Sequence, residues 1–382
     1  MKIGIFTNNY LPNPYGVTGS IESFRQELES RGHEVFIFAP HNKGYIDCNP
    51  NVYRYPSVDL EYKISFPLPI PYSRRINRIL EKLDLDIIHT QHHDLLGKVA
   101  RKWARKKKVP LVFTWHTFYD KYAHFVPVIP NILVVKWSIV SSVKYANQCD
   151  QVIVPTRSVG EIIRGWGVVN KNLIDIQTGI EEKLYQNPDR NKIRDKFGVK
   201  ENETLLLLVS RISTEKNIIF LFNTVINVLK QNKNVKFLVA GEGHLIPELE
   251  KITAENKLED RIILAGIVSK EKLKDYYAAG DIFVYGSKSE TQGMVLTEAM
   301  YMGLPIVAVK STGAIDIIEE DKTGFLVPED AGEFARAVQK LINDKNLRRQ
   351  FSEAAKKIAR EKYTAKVCGE KMLEVYNKLL KK

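Results

Sequence analysis

Cysteine is scarce in this chain of 382 residues, and the three present, Cys48, Cys149 and Cys368, are scattered. They form neither a disulfide framework nor a cluster with metal-ligand spacing, so a reducing cytosol is the natural compartment. Long apolar runs are missing too. No stretch reaches the roughly 18–20 apolar residues of a membrane span, and Met1-Lys2-Ile3-Gly4 leads into a strand pattern rather than a signal peptide. No short-period repeat or low-complexity tract is visible. RNA- and DNA-binding motifs are absent, and the basic run at 101–108 has no interleaved aromatic beyond Trp103, so nucleic acid is not an expected partner. What is left is a globular composition, 44% hydrophobic and 27% charged, on a chain long enough for two domains.

Apolar strand patterns alternate with helical ones throughout, the sign of parallel α/β architecture. In the first half the strands are expected at Lys2–Thr7, Glu34–Pro40, Asp86–Gln91, Pro110–His116, Gln151–Thr156 and Leu173–Gln177. The second half restarts at Thr204–Ile212, Val235–Gly241, Arg261–Val268, Ile282–Gly286, Pro305–Val309 and Gly324–Pro328. Between them Gly179 to Lys200 is polar and strand-free. The expectation is two Rossmann-like parallel-sheet domains, 1–180 and 181–363, facing across a cleft. A C-terminal helix, 364–382, would return to the first. Ligands in such folds sit at the C-terminal ends of the strands.

One such end is dense in chemistry. Glu290-Thr291-Gln292-Gly293-Met294-Val295-Leu296-Thr297-Glu298 sets two carboxylates eight residues apart around a glycine, after the apolar run Ile282–Gly286. Strand, glycine turn and helix together aim backbone N–H groups and the positive end of a helix dipole at an anion. A phosphate over Gly293 to Val295, with Glu290 on sugar hydroxyls and Glu298 on a ribose, suits a nucleotide sugar. The plain alternative is an ordinary βα unit with two surface glutamates. After the seventh strand, Ser210-Arg211-Ile212-Ser213-Thr214-Glu215-Lys216 presents two cations that can clamp a diphosphate, or else be solvated. His116, closing the fourth strand in Thr114-Trp115-His116-Thr117, can hydrogen-bond near reacting atoms or be a structural histidine. Tyr119, Tyr122 and His124 follow it in a polar-aromatic stretch suited to sugar stacking. After the first strand, Gly16 and Gly19 permit close backbone approach, although this spacing lacks the third glycine of a dinucleotide fingerprint.

The ordered series Tyr10-Leu-Pro…Gly16-Val-Thr, Gly32-His33-Glu34-Val35, Asp86-Ile-Ile-His89-Thr, Thr114-Trp-His116-Thr and Thr178-Gly-Ile180 continues through Arg211…Glu215-Lys216, Gly241-Glu-Gly243 and Glu290-Thr-Gln-Gly-Met…Glu298-Ala-Met. It resembles the family 4 glycosyltransferases, retaining enzymes of the GT-B fold, over nearly the whole chain. His116-Thr-Phe-Tyr119…Tyr122…His124 and the Glu-Thr-Gln-Gly form look like the branch that glucosylates diacylglycerol. The resemblance implies that Arg211 and Lys216 hold the donor diphosphate, Glu298 the ribose and Glu290 the sugar. Gln292, Gly293, Met294 and Val295 would offer backbone amides to phosphate and sugar, and Gly241 and Val268 would complete the donor site. Gly16 and Val17 would close over the pyrophosphate, and His116 would touch the donor sugar and support an oxocarbenium-like transition state. The sequence departs from the commoner form where Gly16-Val17 replaces paired glycines and where Thr291-Gln292 follows Glu290.

The chemistry implied is hexosyl transfer from a nucleotide sugar, UDP-glucose first among them. No Asp-x-Asp metal motif accompanies the site, and two cations with helix amides can stabilise the leaving diphosphate, so no metal or other cofactor is expected. For retention the acceptor hydroxyl attacks the face the diphosphate leaves, with a phosphate oxygen as base; a nucleophilic Glu290 is the other option. Residues 1–180 carry 23 Lys/Arg and 15 Asp/Glu, a balance of +8, against 34 and 30 in the remainder, +4. The excess concentrates in Arg101-Lys102-Trp103-Ala104-Arg105-Lys106-Lys107-Lys108, a basic helix pattern whose Trp103 fits an anionic membrane surface. Apolar stretches at 66–72 and 129–137 lie near it in sequence. Taken with the resemblance, this pattern implies a lipid acceptor, diacylglycerol, and a peripheral place on the cytoplasmic face of the membrane. The alternatives are a soluble polyol or cell-surface glycan acceptor, or a non-enzymatic binder of anionic surfaces.

Overall fold

The computed structural model describes residues 1–13, 16–62, 64–118 and 131–381. Two compact units form, one of Met1–Gly179 with Ala365–Lys382 and the other of Ile180–Thr364.

Among the described residues the first unit holds a seven-stranded parallel sheet. Its strands are β1 (Lys2–Phe6), β2 (Glu34–Pro40), β3 (Val52–Tyr55), β6 (Ile87–Thr90), β7 (Leu111–Thr114), β8 (Gln151–Val154) and β9 (Leu173–Asp175), in the order β3-β2-β1-β6-β7-β8-β9. β4 (Ser57–Tyr62) and β5 (Ile64–Pro69) pair antiparallel as a separate hairpin. β3 and the hairpin were not expected from sequence. Val52-Tyr53-Arg54-Tyr55 is short, sits on the sheet edge and is mostly half-buried, so it lacks the apolar run that marks a central parallel strand. The helix Ala365–Leu380 packs on the helix Gly16–Ser30, burying Cys368, Met372 and Tyr376 among Ile21, Phe24 and Leu28. Gly369 makes that contact close, because a Cβ there would lie 2.3 Å from Glu27 Cγ.

The second unit holds a six-stranded parallel sheet among the described residues. It comprises β10 (Thr204–Val209), β11 (Val235–Ala240), β12 (Ile262–Leu264), β13 (Ile282–Tyr285), β14 (Ile306–Val309) and β15 (Gly324–Val327), ordered β12-β11-β10-β13-β14-β15. Leu205 to Leu208 are all buried, as both faces of a central parallel strand require. Two Rossmann-like α/β units in one chain, the GT-B plan, is the fold class read from the sequence. In the first sheet the strand order reverses between β1 and β6, in the second between β10 and β13. At such reversals the connections leave in opposite directions and open a crevice for ligands.

Candidate active site

In the second unit the reversal brings together motifs 79 residues apart in sequence. β10 runs into Ser210 and Arg211, then a 3-10 turn over Thr214–Lys216. β13 pairs directly with β10 and runs into Ser287 and Glu290. Lys216 Nζ donates to Glu290 Oε1, and the same oxygen accepts from Tyr285 Oη at 2.6 Å and Ser287 Oγ at 2.8 Å. Burial alone would push the Glu290 carboxyl up. The Lys216 charge and the three donors outweigh it and hold the group below its ordinary value. Arg211 Nη2 lies 3.0 Å from Glu215 Oε1, and Glu215 is also held low, its own amide, Ser213 and Arg211 overcoming the effect of burial.

Gly293 adopts φ +75°, a left-handed conformation that costs glycine little, and caps the helix Met294–Tyr301. Gln292 is buried beside it, with Met294 and Val295 half-buried in the first turn. Glu298 sits one turn inside the helix, where Tyr277 Oη donates to its Oε2 at 2.7 Å and Tyr185 supplies a further hydrogen bond. Here burial prevails and the Glu298 carboxyl is raised above its ordinary value. The two glutamates therefore occupy opposite electrostatic environments: one anchored to a cation, the other to phenols.

Gly241 has φ +146°, and a Cβ on it would lie 1.8 Å from the Ser210 carbonyl oxygen. A Cβ on Gly243 would lie 2.1 Å from that of Ile212. Both glycines let the exit of β11 press against the Arg211 loop, so their immediate work is to set that loop's path. Val268 lies past the end of β12, which stops at Leu264, four residues short of the sequence expectation.

In the first unit, polar side chains gather at the C-terminal ends of β1, β6 and β7. His116 Nε2 is 2.6 Å from Gln91 Oε1. Burial, with His92 and His89 adding to it, takes His116 down to about 3, so it is neutral at physiological pH and its Nε2 carries the proton toward Gln91. Asn8 joins the β1 and β6 ends: its amide donates to His92 Nδ1 at 3.1 Å and its Nδ2 to Asp94 Oδ1 at 2.7 Å. Gly16 and Gly19 lie in a helix, not in an open turn after the first strand. The helix begins at Gly16, so Gly16, Val17 and Gly19 form its first turns, and Gly16 is exposed with no atom within 4 Å of a Cβ position. Tyr119, Tyr122 and His124 lie outside the described residues.

The membrane reading of 101–108 needs one correction. These residues do belong to a helix, Leu96–Lys107, which exposes Lys102, Arg105 and Lys106, with Lys108 exposed just beyond it; Arg101 and Lys107 are half-buried. Trp103, however, is only 5% exposed and packs in the core with Ala100, Ala104 and Leu111. With Ala100 at i, Trp103 at i+3 and Ala104 at i+4 fall on the apolar stripe facing the sheet. The neighbouring helix Asn131–Ala146 instead exposes Ile132, Trp137 and Val140, at 76%, 59% and 59%.

Sequence reasoning did not single out Tyr285, Ser287, Tyr277, Tyr185 or Gln91 as partners of the site. Tyr285 and Ser287 were findable, since Tyr285 closes β13 and Ser287 stands between that strand and Glu290. Tyr185 and Tyr277 reach Glu298 only through the fold.

The comparisons with known proteins identify the family and the fold. A family profile described as Glycosyltransferase Family 4 matches residues 14–184, and one described as Glycosyl transferases group 1 matches residues 189–358. The chain is 33% identical over 338 residues to the alpha-monoglucosyldiacylglycerol synthase of Streptococcus pneumoniae, covering 85% of this chain and 75% of that protein. It is 30% identical over 339 residues to the enzyme of the same name from Acholeplasma laidlawii, covering 85% and 84%. Among solved structures, sucrose-phosphate synthase from Thermosynechococcus elongatus matches with a TM-score of 0.80 at 19% identity, covering 99% of this chain and 98% of that one. Anabaena Alr3699/HepE in complex with UDP matches at 0.79 and 19%, covering 99% and 100%. The chain is thus a hexosyltransferase and belongs to the family 4 glycosyltransferases.

Proposed function

We propose that the protein transfers glucose from UDP-glucose to 1,2-diacylglycerol at a membrane surface, with retention, giving an α-glycolipid. The observation that carries the donor half is the Lys216–Glu290 pair beside the Gly293 turn. A nucleotide sugar laid along that turn has its diphosphate at Arg211, Lys216 and the amides of Met294 and Val295, and its ribose at Glu298. The leaving group gains one negative charge as the glycosidic bond breaks, and fixed cations and amide dipoles stabilise it without reorganising. Arg211 exchanges Glu215 for the diphosphate, and Lys216 bridges the diphosphate and Glu290.

Glu290 is better suited to orienting the sugar than to attacking it. Its Oε1 already accepts three hydrogen bonds, and a carboxylate so stabilised is a weak nucleophile. Retention then rests on attack by the acceptor hydroxyl from the face the diphosphate leaves, the phosphate oxygen taking the proton. Neutral His116 fits a hydrogen-bonding role toward the sugar rather than that of a cationic acid.

The acceptor half rests on the two relatives at 30–33% identity and on the first unit's surface. Exposed Ile132, Trp137 and Val140 offer apolar groups to lipid beside the cations of 101–108, and Arg101 stacks on Tyr145 to join the two helices. No helix among the described residues is long and apolar enough to cross a membrane, so attachment would be peripheral. The experiment is direct. The protein is incubated with radiolabelled UDP-glucose and other nucleotide sugars, together with diacylglycerol vesicles and soluble acceptors. Label in an organic-soluble product whose anomeric proton shows the α-configuration supports the reading. Label only in water-soluble product would replace the lipid with a polyol or glycan.

A further inference from the structure

The net charge of the second half, +4, is smaller than that of a single helix within it. Lys345–Lys362 contains seven Lys/Arg and two Asp/Glu, a balance of +5. Lys345, Arg348, Arg349, Ser352 and Lys356 recur at spacings of three and four and so share one face. That face lines a cavity of about 440 Å³ at the N-terminal ends of β13 and β14, where Asp281 and Pro305 precede the strands. The donor residues leave the C-terminal ends of the same sheet. A four-residue strand, about 13 Å long, separates the two places.

Among the described residues the only acidic group on the cavity wall, Asp281, is consumed: Arg190 donates to its Oδ1 at 2.8 Å and Arg194 to its Oδ2 at 3.2 Å. Arg190 is likewise spent on Asp281 and on the carbonyls of Ala278 and Gly280. Arg348 is half-buried and braced by the Leu341 and Ile342 carbonyls, which fixes its guanidinium at the cavity edge. Lys356 is led in over Gly303, where a Cβ would lie 2.1 Å from its Cε. Arg349 has only an exposed partner, Glu353, at 3.5 Å, and such a pair holds it weakly. Among the described residues no ion pair engages Lys345, Arg348 or Lys356. Like charges at this spacing destabilise an isolated helix, and a bound anion would relieve them.

We propose that this cavity is a second anion site, taking a phosphate ester with more than one ionised oxygen. Its size exceeds a single inorganic phosphate, and its cations are spread along about 16 Å of helix. Two sources share this chemistry: a soluble phosphorylated compound and the headgroup of an acidic phospholipid.

The test removes the donor clamp first, because pyrophosphate also suits Arg211 and Lys216. In the R211A/K216A protein, titration calorimetry is expected to show one remaining pyrophosphate site. Adding K345Q, R349Q and K356Q, all exposed positions on which no described backbone group depends, should weaken it by at least about tenfold, since each loses a charge-assisted contact. In a second arm the wild type and the K345Q/R349Q/K356Q protein are floated on phosphatidylcholine vesicles doped with phosphatidic acid. A tenfold loss in calorimetry assigns a soluble phosphate ester, and a comparable loss in flotation assigns a headgroup. Equal affinity of the two calorimetry proteins together with equal flotation, or no pyrophosphate binding and equal flotation, overturns the proposal. Neither arm depends on which sugar or acceptor the enzyme uses.

Discussion

Arg211 and Lys216 belong to the same clamp but differ in what holds them before the donor arrives, and that difference is measurable. Arg211 is 40% exposed and paired with Glu215, whereas Lys216 neutralises a buried carboxylate. Either change to alanine is expected to lower turnover by at least about a hundredfold. R211A should leave thermal stability near wild type. K216A should lower it by several degrees, because Glu290 is left as a buried charge without its cation. Near-normal turnover in both variants would remove them from the clamp. The two glutamates differ as sharply. Glu290 is held low in the folded protein, so it contributes stability present above its ordinary value near 4.5 and lost as pH falls below it. Glu298 is raised, so its contribution is present below 4.5 and lost as pH rises through its folded value. E290Q should therefore melt below wild type at pH 7 with the gap closing only as pH falls below 4.5, and E298Q should melt above wild type at pH 7 with its gap closing as pH falls toward 4.5. Melting curves across pH check both, and gaps of the reverse sign would contradict the assigned environments.

At the scale of elements, the basic helix Leu96–Lys107 does two jobs on two faces. Its inner face packs Trp103 into the core, so W103A should cost about 3–5 kcal/mol of stability and is no test of membrane binding. Its outer face carries the charge. K106S/K107S/K108S is expected to weaken binding to anionic vesicles by about two orders of magnitude, at about 1 kcal/mol per cation. Lys106, already paired with Glu81 and lying 4.5 Å from the Trp103 ring centre, should account for the smallest share. W137A on the neighbouring helix should weaken flotation with the melting temperature unchanged; equal flotation of both variants and wild type would move the acceptor to water. The C-terminal helix is tied in by chemistry as well as packing. His89, buried and taken down to about 3, bonds Tyr376 Oη through Nδ1 at 2.6 Å and Thr114 Oγ1 through Nε2 at 2.7 Å. Y376F strands the Nδ1 and should cost about 1–3 kcal/mol in denaturant unfolding, with donor hydrolysis retained.

For the whole molecule, the proposed economy of the site is electrostatic. If two basic side chains and helix amides stabilise the diphosphate, transfer should survive EDTA, and added magnesium or manganese should change the rate little. Loss on chelation with recovery on adding either ion would show that a divalent ion shares the work. The positive balance of the molecule resides in two helices, Leu96–Lys107 and Lys345–Lys362, one in each unit. The first was legible because its cations are contiguous. The second was not, because its cations are interleaved at helical spacing and become one face only when the helix winds.

The sequence by itself determined the strand–helix alternation, the family, and the residues with strong local signatures: Glu290, Gly293 and Glu298 around one turn, Arg211 and Lys216 around another. Those signals are local, set by apolar runs and by glycine where the backbone must turn left-handed. Tertiary structure decided which groups meet. Parallel pairing of β10 with β13 put Lys216 on Glu290, and the helices around them delivered Tyr185 and Tyr277 to Glu298 from 113 and 21 residues away in sequence. It also decided which way each side chain faces, turning Trp103 inward and leaving Trp137 out, since burial depends on what lies across the helix and no short window of sequence contains that.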